Sequence, residues 1–319
     1  MPFARFSALF SIVAALLLCG CGDEPATAPG GAITVSAGLP PIAYIANRIG
    51  GDFIHAKSVL PEGRSPHDYS PGPHDIRAAA VSRLFLTTRM PFENTLLRPL
   101  AHGNVKVVDV SEGISRIPFG VNCDHQHAED PHAGHAHAPG EPCSDDGLDP
   151  HVWLSLDNAV RIAENIEKAY AALDPAHAAV YRANREALSR EFTALEQEVK
   201  RELAPYAGAE FYVYHPAFGY FAHMTGLGQA AIELGGREAT PAHLAGIIRR
   251  AREHGVRVIF VQPQFNPASA RALAQAIGGE VVGMDPLAAD LPANIREMTR
   301  VLKQGFAARK EKRQADERH

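Results

Sequence analysis

The sequence predicts an α/β protein of two lobes, each built on a parallel sheet covered by helices, with one long rigid helix between them. Short β-rich runs alternate with helical stretches from residue 33 to residue 110 and again from residue 210 to residue 309, which is typical of parallel sheets. Between these regions, residues 176–204 contain neither Gly nor Pro, as expected of a single uninterrupted helix.

The N-terminus predicts export. Arg5 precedes an apolar run, Leu9 to Leu18, that is too short to span a bilayer and fits a secretory signal. The next letters, LCGC, resemble the bacterial lipoprotein cleavage box, so we expect a lipid anchor at Cys21 and a periplasmic or cell-envelope location. An ordinary signal peptide cut near Ala28 is the alternative. A segment rich in Pro, Gly and Ala follows and predicts a flexible tether.

The predicted elements follow in order along the chain. In the first lobe, strands ITVSA, FIHAKSVL, RLFLTT and VKVVDV alternate with helices PIAYIANRIGG, HDIRAAAVS and FENTLLRPLAHG. Asp174 as N-cap and Pro175 at the first helical position begin the connecting helix. In the second lobe, strands EFYVYH, QAAIEL, VRVIFVQ and EVVGM alternate with helices FGYFAHMTG, TPAHLAGIIRRAREHG, PASARALAQAIGG and LPANIREMTRVLKQGFAAR.

These elements define five expected segments. They are the signal 1–20, the tether 21–32, the first lobe 33–173 with a His-rich loop at 121–147, the connecting helix 174–205 and the second lobe 206–319. The chain has 319 residues, of which 46% are hydrophobic, so it can bury a sizeable core. The net charge of -5, without a stripe of basic residues, excludes a nucleic-acid partner.

Four residues are candidate metal ligands because of where they lie along the chain. In open α/β sheets, ligands bind beyond the carboxyl ends of the strands. His67, His215 and Asp285 each follow a predicted strand, and His151 follows the His-rich loop. Three imidazoles and one carboxylate form a donor set that suits tetrahedral Zn(II). Gln262 and Gln264 are candidates to bond the second ring nitrogen of a ligand.

The motifs around these residues carry a resemblance to a known family. With SPHDYSPGPHDI, DPHVWLS, HPAFGYF and MDPL in this order, the sequence resembles the bacterial zinc- and manganese-uptake solute-binding proteins, the metal receptors of ABC importers, from Ile33 to about residue 310. The resemblance implies two lobes joined by a rigid helix and a metal in the cleft. It also implies a monomer that delivers metal to a membrane permease. By the family's motifs, the ligands are His67, His151, His215 and Asp285.

The resemblance also bears on the choice of metal. Manganese receptors similar to this chain usually place Glu where His215 stands, and a set of three imidazoles suits Zn(II) better than Mn(II). We therefore expect a zinc receptor, with a receptor for manganese or another divalent metal as the alternative. A zinc-dependent envelope hydrolase is a weaker alternative because the chain has no HExxH helix. A lipoprotein that uses metal only for folding is another.

A His-rich loop separates the two halves of the first lobe. It has five histidines on residues that favour disorder, and similar zinc receptors have such a loop near the cleft, so we expect it to be an accessory metal-binding segment: His125, His127, His132, His135 and His137. Cys123 and Cys143 bracket these residues. In an oxidising compartment we expect a disulfide between them, with a zinc site that uses both thiolates as the alternative.

Overall fold

The computed structural model describes residues 31–119, 147–233 and 240–316 and confirms two α/β lobes joined by a long helix. The first sheet consists of β1 (Ile33–Ala37), β2 (Ile54–Ser58), β3 (Leu84–Thr87) and β4 (Lys106–Asp109). The second consists of β5 (Glu210–Val213), β6 (Gly228–Ala231), β7 (Val258–Val261) and β8 (Glu280–Gly283). All pairings are parallel, and the strand orders β2-β1-β3-β4 and β6-β5-β7-β8 are equivalent.

The helices agree with the predicted alternation. Those of the first lobe are α1 (Pro40–Gly50), α2 (Pro73–Ala80), α3 (Asn94–Ala101) and α4 (Leu156–Leu173). The long helix α5 (Ala178–Leu203) follows, and the second lobe has α6 (Gly219–Thr225), α7 (Pro241–Glu253), α8 (Ala268–Ile277) and α9 (Leu291–Asp316). All four residues of β3 and of β7 are buried, as expected for central strands covered on both faces.

The connecting helix begins differently from the prediction. A short 3₁₀ turn, Pro175–His177, precedes α5, whose 26 residues span about 39 Å. The Asp174 side chain does not cap a backbone N–H. Its carboxylate instead accepts hydrogen bonds from His177 Nδ1 at 2.7 Å and from the Tyr181 hydroxyl at 2.6 Å. Asp174 therefore fixes the first turn of the helix through side chains.

Helix α4 was not among the predicted elements. It has 18 residues and packs along α5, to which it is joined by residues 174–177. Its buried residues recur at helical spacing and face the core: Leu156, Ala159, Ile162, Ala163, Ile166, Ala169 and Tyr170. The connecting helix α5 is thus packed against α4 of the first lobe and is not an isolated rod.

A continuous apolar core runs through both lobes. One buried cluster contains residues from β1 and α1 of the first lobe, from α4 and α5, and from β5 and α9 of the second lobe. Phe192 and Leu195 of α5 and Phe211 of β5 belong to it. Smaller clusters cover the other face of each sheet. Within the described ranges, no helix is both long and apolar enough to cross a membrane.

One carboxylate, Glu93, is fully buried in the first lobe beside the carboxyl end of β3. Its Oε2 accepts hydrogen bonds from the Thr87 hydroxyl at 2.6 Å and from the Met90 backbone N–H at 2.9 Å, whereas Oε1 has no partner. Oε1 lies 1.5 Å from the position that a Cβ on Gly38 would take, so only glycine fits there. Burial raises the pKa of Glu93 from 4.5 to about 7, although the hydrogen bond from Thr87 lowers it.

We expect Glu93→Gln to remove a pH-dependent loss of stability. Well below pH 4.5 the carboxyl is protonated in both the folded and unfolded chains, so its ionisation does not affect stability. As the pH rises toward 7, the unfolded chain ionises first, which destabilises the folded state by roughly 3 kcal/mol. Urea unfolding at several pH values should show the wild type losing stability across this window relative to the variant.

The control for this experiment is Glu253→Gln, a substitution of an exposed carboxylate on α7. It should follow the pH dependence of the wild type. If Glu93→Gln also follows the wild type from pH 4.5 to pH 7, Glu93 does not carry the raised pKa.

Candidate metal centre

Three imidazoles meet in the cleft between the lobes. His67 lies in the loop after β2, His151 precedes a 3₁₀ turn that leads into α4, and His215 follows β5. One nitrogen from each ring lies within 4.8 Å of the others. Among the described residues, these three histidines form a group that could hold a metal ion. The sequence-predicted histidines from both lobes therefore come together.

The second ring nitrogen of two of these histidines is bonded to a buried carboxylate. His151 Nδ1 lies 2.7 Å from Asp149 Oδ1, and His215 Nδ1 lies 2.5 Å from Glu233 Oε1. Burial raises the pKa of Asp149 from 3.8 to about 7. An ionised carboxylate only accepts hydrogen bonds, so when the carboxylate is ionised Nδ1 carries the proton and Nε2 keeps its lone pair. Carboxylate–histidine pairs of this kind orient metal ligands and fix their tautomer.

The free nitrogens have the spacing that a metal requires. His67 Nε2 and His151 Nε2 are 3.2 Å apart. Two nitrogens bound to one tetrahedral Zn(II) at about 2.0–2.1 Å would be separated by about 3.3–3.4 Å. The Nε2 atom of His215 is buried and has no hydrogen-bond partner, which is costly unless something binds it. The residues present thus fit a divalent cation.

Burial keeps two of the imidazoles neutral. It lowers the pKa of His67 well below 6.5, and the neighbouring His215 and His151 lower it further. Burial also lowers the pKa of His151 well below 6.5, with a further contribution from His215. Neutral imidazole is the form that coordinates a metal, so this site does not have to lose protons from these rings at neutral pH.

Apolar side chains surround the imidazoles. The Phe265 ring stacks on His215 with centroids 5.2 Å apart, and Phe119 stacks on His151 at 6.1 Å. Pro66, Ala217, Pro286 and Leu287 complete the cavity lining together with Gln264. Such a lining limits the access of water and strengthens electrostatic interactions inside the site.

Asp285, the fourth predicted ligand, is not brought into this group. Its Oδ1 accepts hydrogen bonds from Gln264 Nε2 at 2.8 Å and from the Leu287 backbone N–H at 2.9 Å. The adjacent residues Pro286 and Leu287 line the cavity, so the carboxylate lies beside it. Its role as a ligand stays a prediction.

The prediction that Gln262 or Gln264 bonds the second ring nitrogen of a ligand was wrong. Gln262 bonds the backbone N–H and carbonyl of His215, and Gln264 bonds Asp285, whereas Glu233 is the partner of the His215 ring. The position of Glu233 directly after the second-lobe strand β6, at the same sheet edge as His215, was the signal that could have identified it.

Several predicted residues lie outside the described ranges. They are the lipidation candidate Cys21, the loop histidines, and the two cysteines of the expected disulfide: His125, His127, His132, His135, His137, Cys123 and Cys143. The remaining extra histidines do not join the centre. His74 and His223 are exposed, and His243 lies in the first turn of α7.

Comparisons with known proteins agree with this arrangement. The model of a family described as "Zinc-uptake complex component A periplasmic" matches residues 35–305. The high-affinity zinc uptake system protein ZnuA of Yersinia pestis is 28% identical over 262 residues, which cover 79% of this chain and 82% of that protein.

Other relatives extend the comparison to structure and to a second metal. A crystal structure of ZnuA matches with a TM-score of 0.76 at 30% identity, covering 86% of this chain and 99% of that one. The manganese-binding lipoprotein MntA of Halalkalibacterium halodurans is 24% identical over 279 residues, which cover 85% of each chain. The fold of this chain is therefore shared with proteins named for different metals.

We expect Glu233→Gln to weaken metal binding by roughly 10–100-fold, the usual effect of losing a carboxylate behind a ligand imidazole. The substitution keeps the size of the side chain but removes the charge that fixes the His215 tautomer. Zinc affinity, measured by competition with a chelating dye, tests this expectation.

Glu210→Gln is the matched control, because Glu210 accepts a hydrogen bond from His254 Nδ1 at 3.0 Å in the same lobe, at a part-exposed pair. It should bind zinc like the wild type. Equal affinity in wild type and Glu233→Gln would mean that the carboxylate does not support the ligand.

Proposed function

The chain belongs to the periplasmic zinc-uptake component A family, and we propose that it is a high-affinity receptor that delivers Zn(II) to the membrane permease of an ABC importer. The observation that carries the proposal is the convergence of three imidazole nitrogens within 4.8 Å between two lobes. We propose His67, His151, His215 and Asp285 as the ligands. The ion is the cargo of this site rather than a resident cofactor.

Zinc is favoured over manganese by the chemistry of the donors. Imidazole suits Zn(II), Cu(II) and Ni(II), whereas Mn(II) prefers carboxylate, carbonyl and water oxygens. His67, His151 and His215 supply nitrogen, and the nearby carboxylates Asp149 and Glu233 bond the rings rather than face the shared point. A manganese receptor is the second candidate because a manganese-binding relative shares this fold.

A receptor accounts for the site better than a hydrolase does. A catalytic zinc site requires an open position for water and a general base beside it. Asp149 and Glu233, which could act as bases, are already bonded to ligand imidazoles. The cavity is also small and apolar at its walls, with little room for a substrate beyond the ion.

We further propose that the chain is a monomer anchored to the membrane through a lipid on Cys21. The LCGC box and the tether at 21–32 support this proposal. A lipid anchor would keep the receptor close to the permease that takes its cargo.

Metabolic labelling with a fatty-acid analogue should mark the wild type and should not mark Cys21→Ala. Cys19→Ala is the control and should keep the label, because its neighbour Cys21 remains. Label that persists in Cys21→Ala and disappears in Cys19→Ala would place the anchor two residues earlier.

Calorimetry with zinc tests the cleft site. His67→Ala and His215→Ala each remove one of three convergent donors. The zinc affinity of the tight site should therefore fall by more than the roughly 100-fold expected when only a residue that bonds a ligand is changed. His223→Ala is the control because His223 is exposed in the same lobe as His215. Unchanged tight binding in His67→Ala or His215→Ala would exclude that residue as a ligand.

Calorimetry on a variant that lacks residues 124–142 shows which zinc sites belong to the cleft and which to the His-rich loop. We propose that the loop binds further zinc ions weakly, since ordering it costs about 1–2 kcal/mol per residue and consumes coordination energy. The deletion variant should lose weak sites and keep the tight one. A folded deletion variant without the tight site would locate the main metal site in the loop.

A further inference from the structure

The loop that follows β8 contains Asp285 beside the imidazoles. Its position is set by several hydrogen bonds in addition to those on the Asp285 carboxylate. Asn294 Nδ2, in α9, donates to the Asp285 backbone carbonyl at 2.7 Å. The contacts from Gln264, Leu287 and Asn294 all come from the second lobe. They fix the position of the loop within the second lobe but not its position relative to His67 and His151 of the first lobe.

A single side chain of the first lobe reaches this loop by a described hydrogen bond. The indole Nε1–H of Trp153 donates to the Pro286 carbonyl oxygen at 2.7 Å. Trp153 is fully buried, so this bond is not exchanged for one with water. Its removal would leave a buried carbonyl without its donor, which is costly.

Trp153 also lies against a metal ligand. Its ring packs edge-on to His151, two residues earlier, with ring centroids 5.5 Å apart. One short segment of the first lobe therefore supplies the His151 imidazole and a donor to the residue after Asp285. The separation between His151 and the Asp285 loop depends on how this segment is docked.

We propose that Trp153 is a positioning residue for metal binding: its indole N–H holds the Asp285 loop of the second lobe in register with His151 of the first. The inference rests on the proposed function and adds a residue that contacts neither the ion nor its four ligand atoms. Trp153 acts through Asp285, so its contribution to affinity exists only while the Asp285 carboxylate is present.

The experiment uses the fact that the chain contains one tryptophan. Growth of a tryptophan auxotroph on β-(3-benzothienyl)alanine replaces the indole N–H by sulfur and changes almost nothing else in the ring. Zinc affinity is measured by dye competition in four proteins: wild type and Asp285→Ala, each with tryptophan and with the analogue. Trp153→Phe serves as a genetically encoded second variant.

We expect the analogue to weaken zinc binding about tenfold in the wild-type background and less than about twofold in Asp285→Ala. The visible absorption of bound Co(II) reports the coordination number. It should change when the analogue replaces tryptophan in the wild-type background and should stay unchanged in Asp285→Ala. Melting of the metal-free proteins measures the purely structural effect of the lost hydrogen bond, which should be equal in both backgrounds.

An equal loss of affinity in both backgrounds would overturn the proposal, since Trp153 would then act on the fold or on His151. An unchanged affinity in the wild-type background would overturn it as well. Failure of the proposed function is a separate result, because in that case wild-type protein with ordinary tryptophan would itself bind no zinc tightly.

Discussion

The structure depends on one constraint: three imidazoles must direct their free nitrogens at a common point inside a nearly dry cleft. His151 and His215 are each 2% exposed. Burial lowers the pKa of His151 well below 6.5, because a protonated ring there would be poorly solvated and would repel its neighbours. The carboxylates of Asp149 and Glu233 bond the opposite nitrogen of these rings and set which nitrogen faces the cleft. The orientation of the imidazoles thus depends on two buried carboxylates that do not themselves face the shared point.

The fold meets this constraint by bringing loops of both lobes to one place. Each lobe has the same strand order, so the carboxyl ends of both sheets present loops to the cleft. Further contacts join the lobes around the site: the Tyr220 hydroxyl donates to the Asp149 carbonyl at 3.1 Å, and Oδ2 of Asp149 lies 2.5 Å from where a Cβ on Gly219 would be. A side chain at Gly219 would therefore separate α6 from the loop that positions His151.

Much of this arrangement could be predicted from the sequence, because alternation of strands and helices and residues at strand ends are local signals. The eight strands and the positions of His67 and His215 after strands are of this kind, whereas His151 was identified through the family's motif. Helix α4 was not predicted, although the helical spacing of its apolar residues is also a local signal. The position of Glu233 after β6 was a signal for a residue near the site, but its bond to the His215 ring depends on side-chain orientation across two neighbouring strands, which the sequence does not show.

The candidate ligands are anchored by the apolar core. Val152, Trp153 and Leu154, directly after His151, belong to the main apolar cluster, as do Ala217 and Phe218 just after His215. The same cluster includes residues of α1, α5 and α9 and also Ala217 and Leu287, which line the cavity. In a structural zinc site, by contrast, metal binding supplies the folding free energy and the empty chain unfolds. Imidazoles that the core already holds in place need little further ordering when an ion binds, so little coordination energy is consumed on binding.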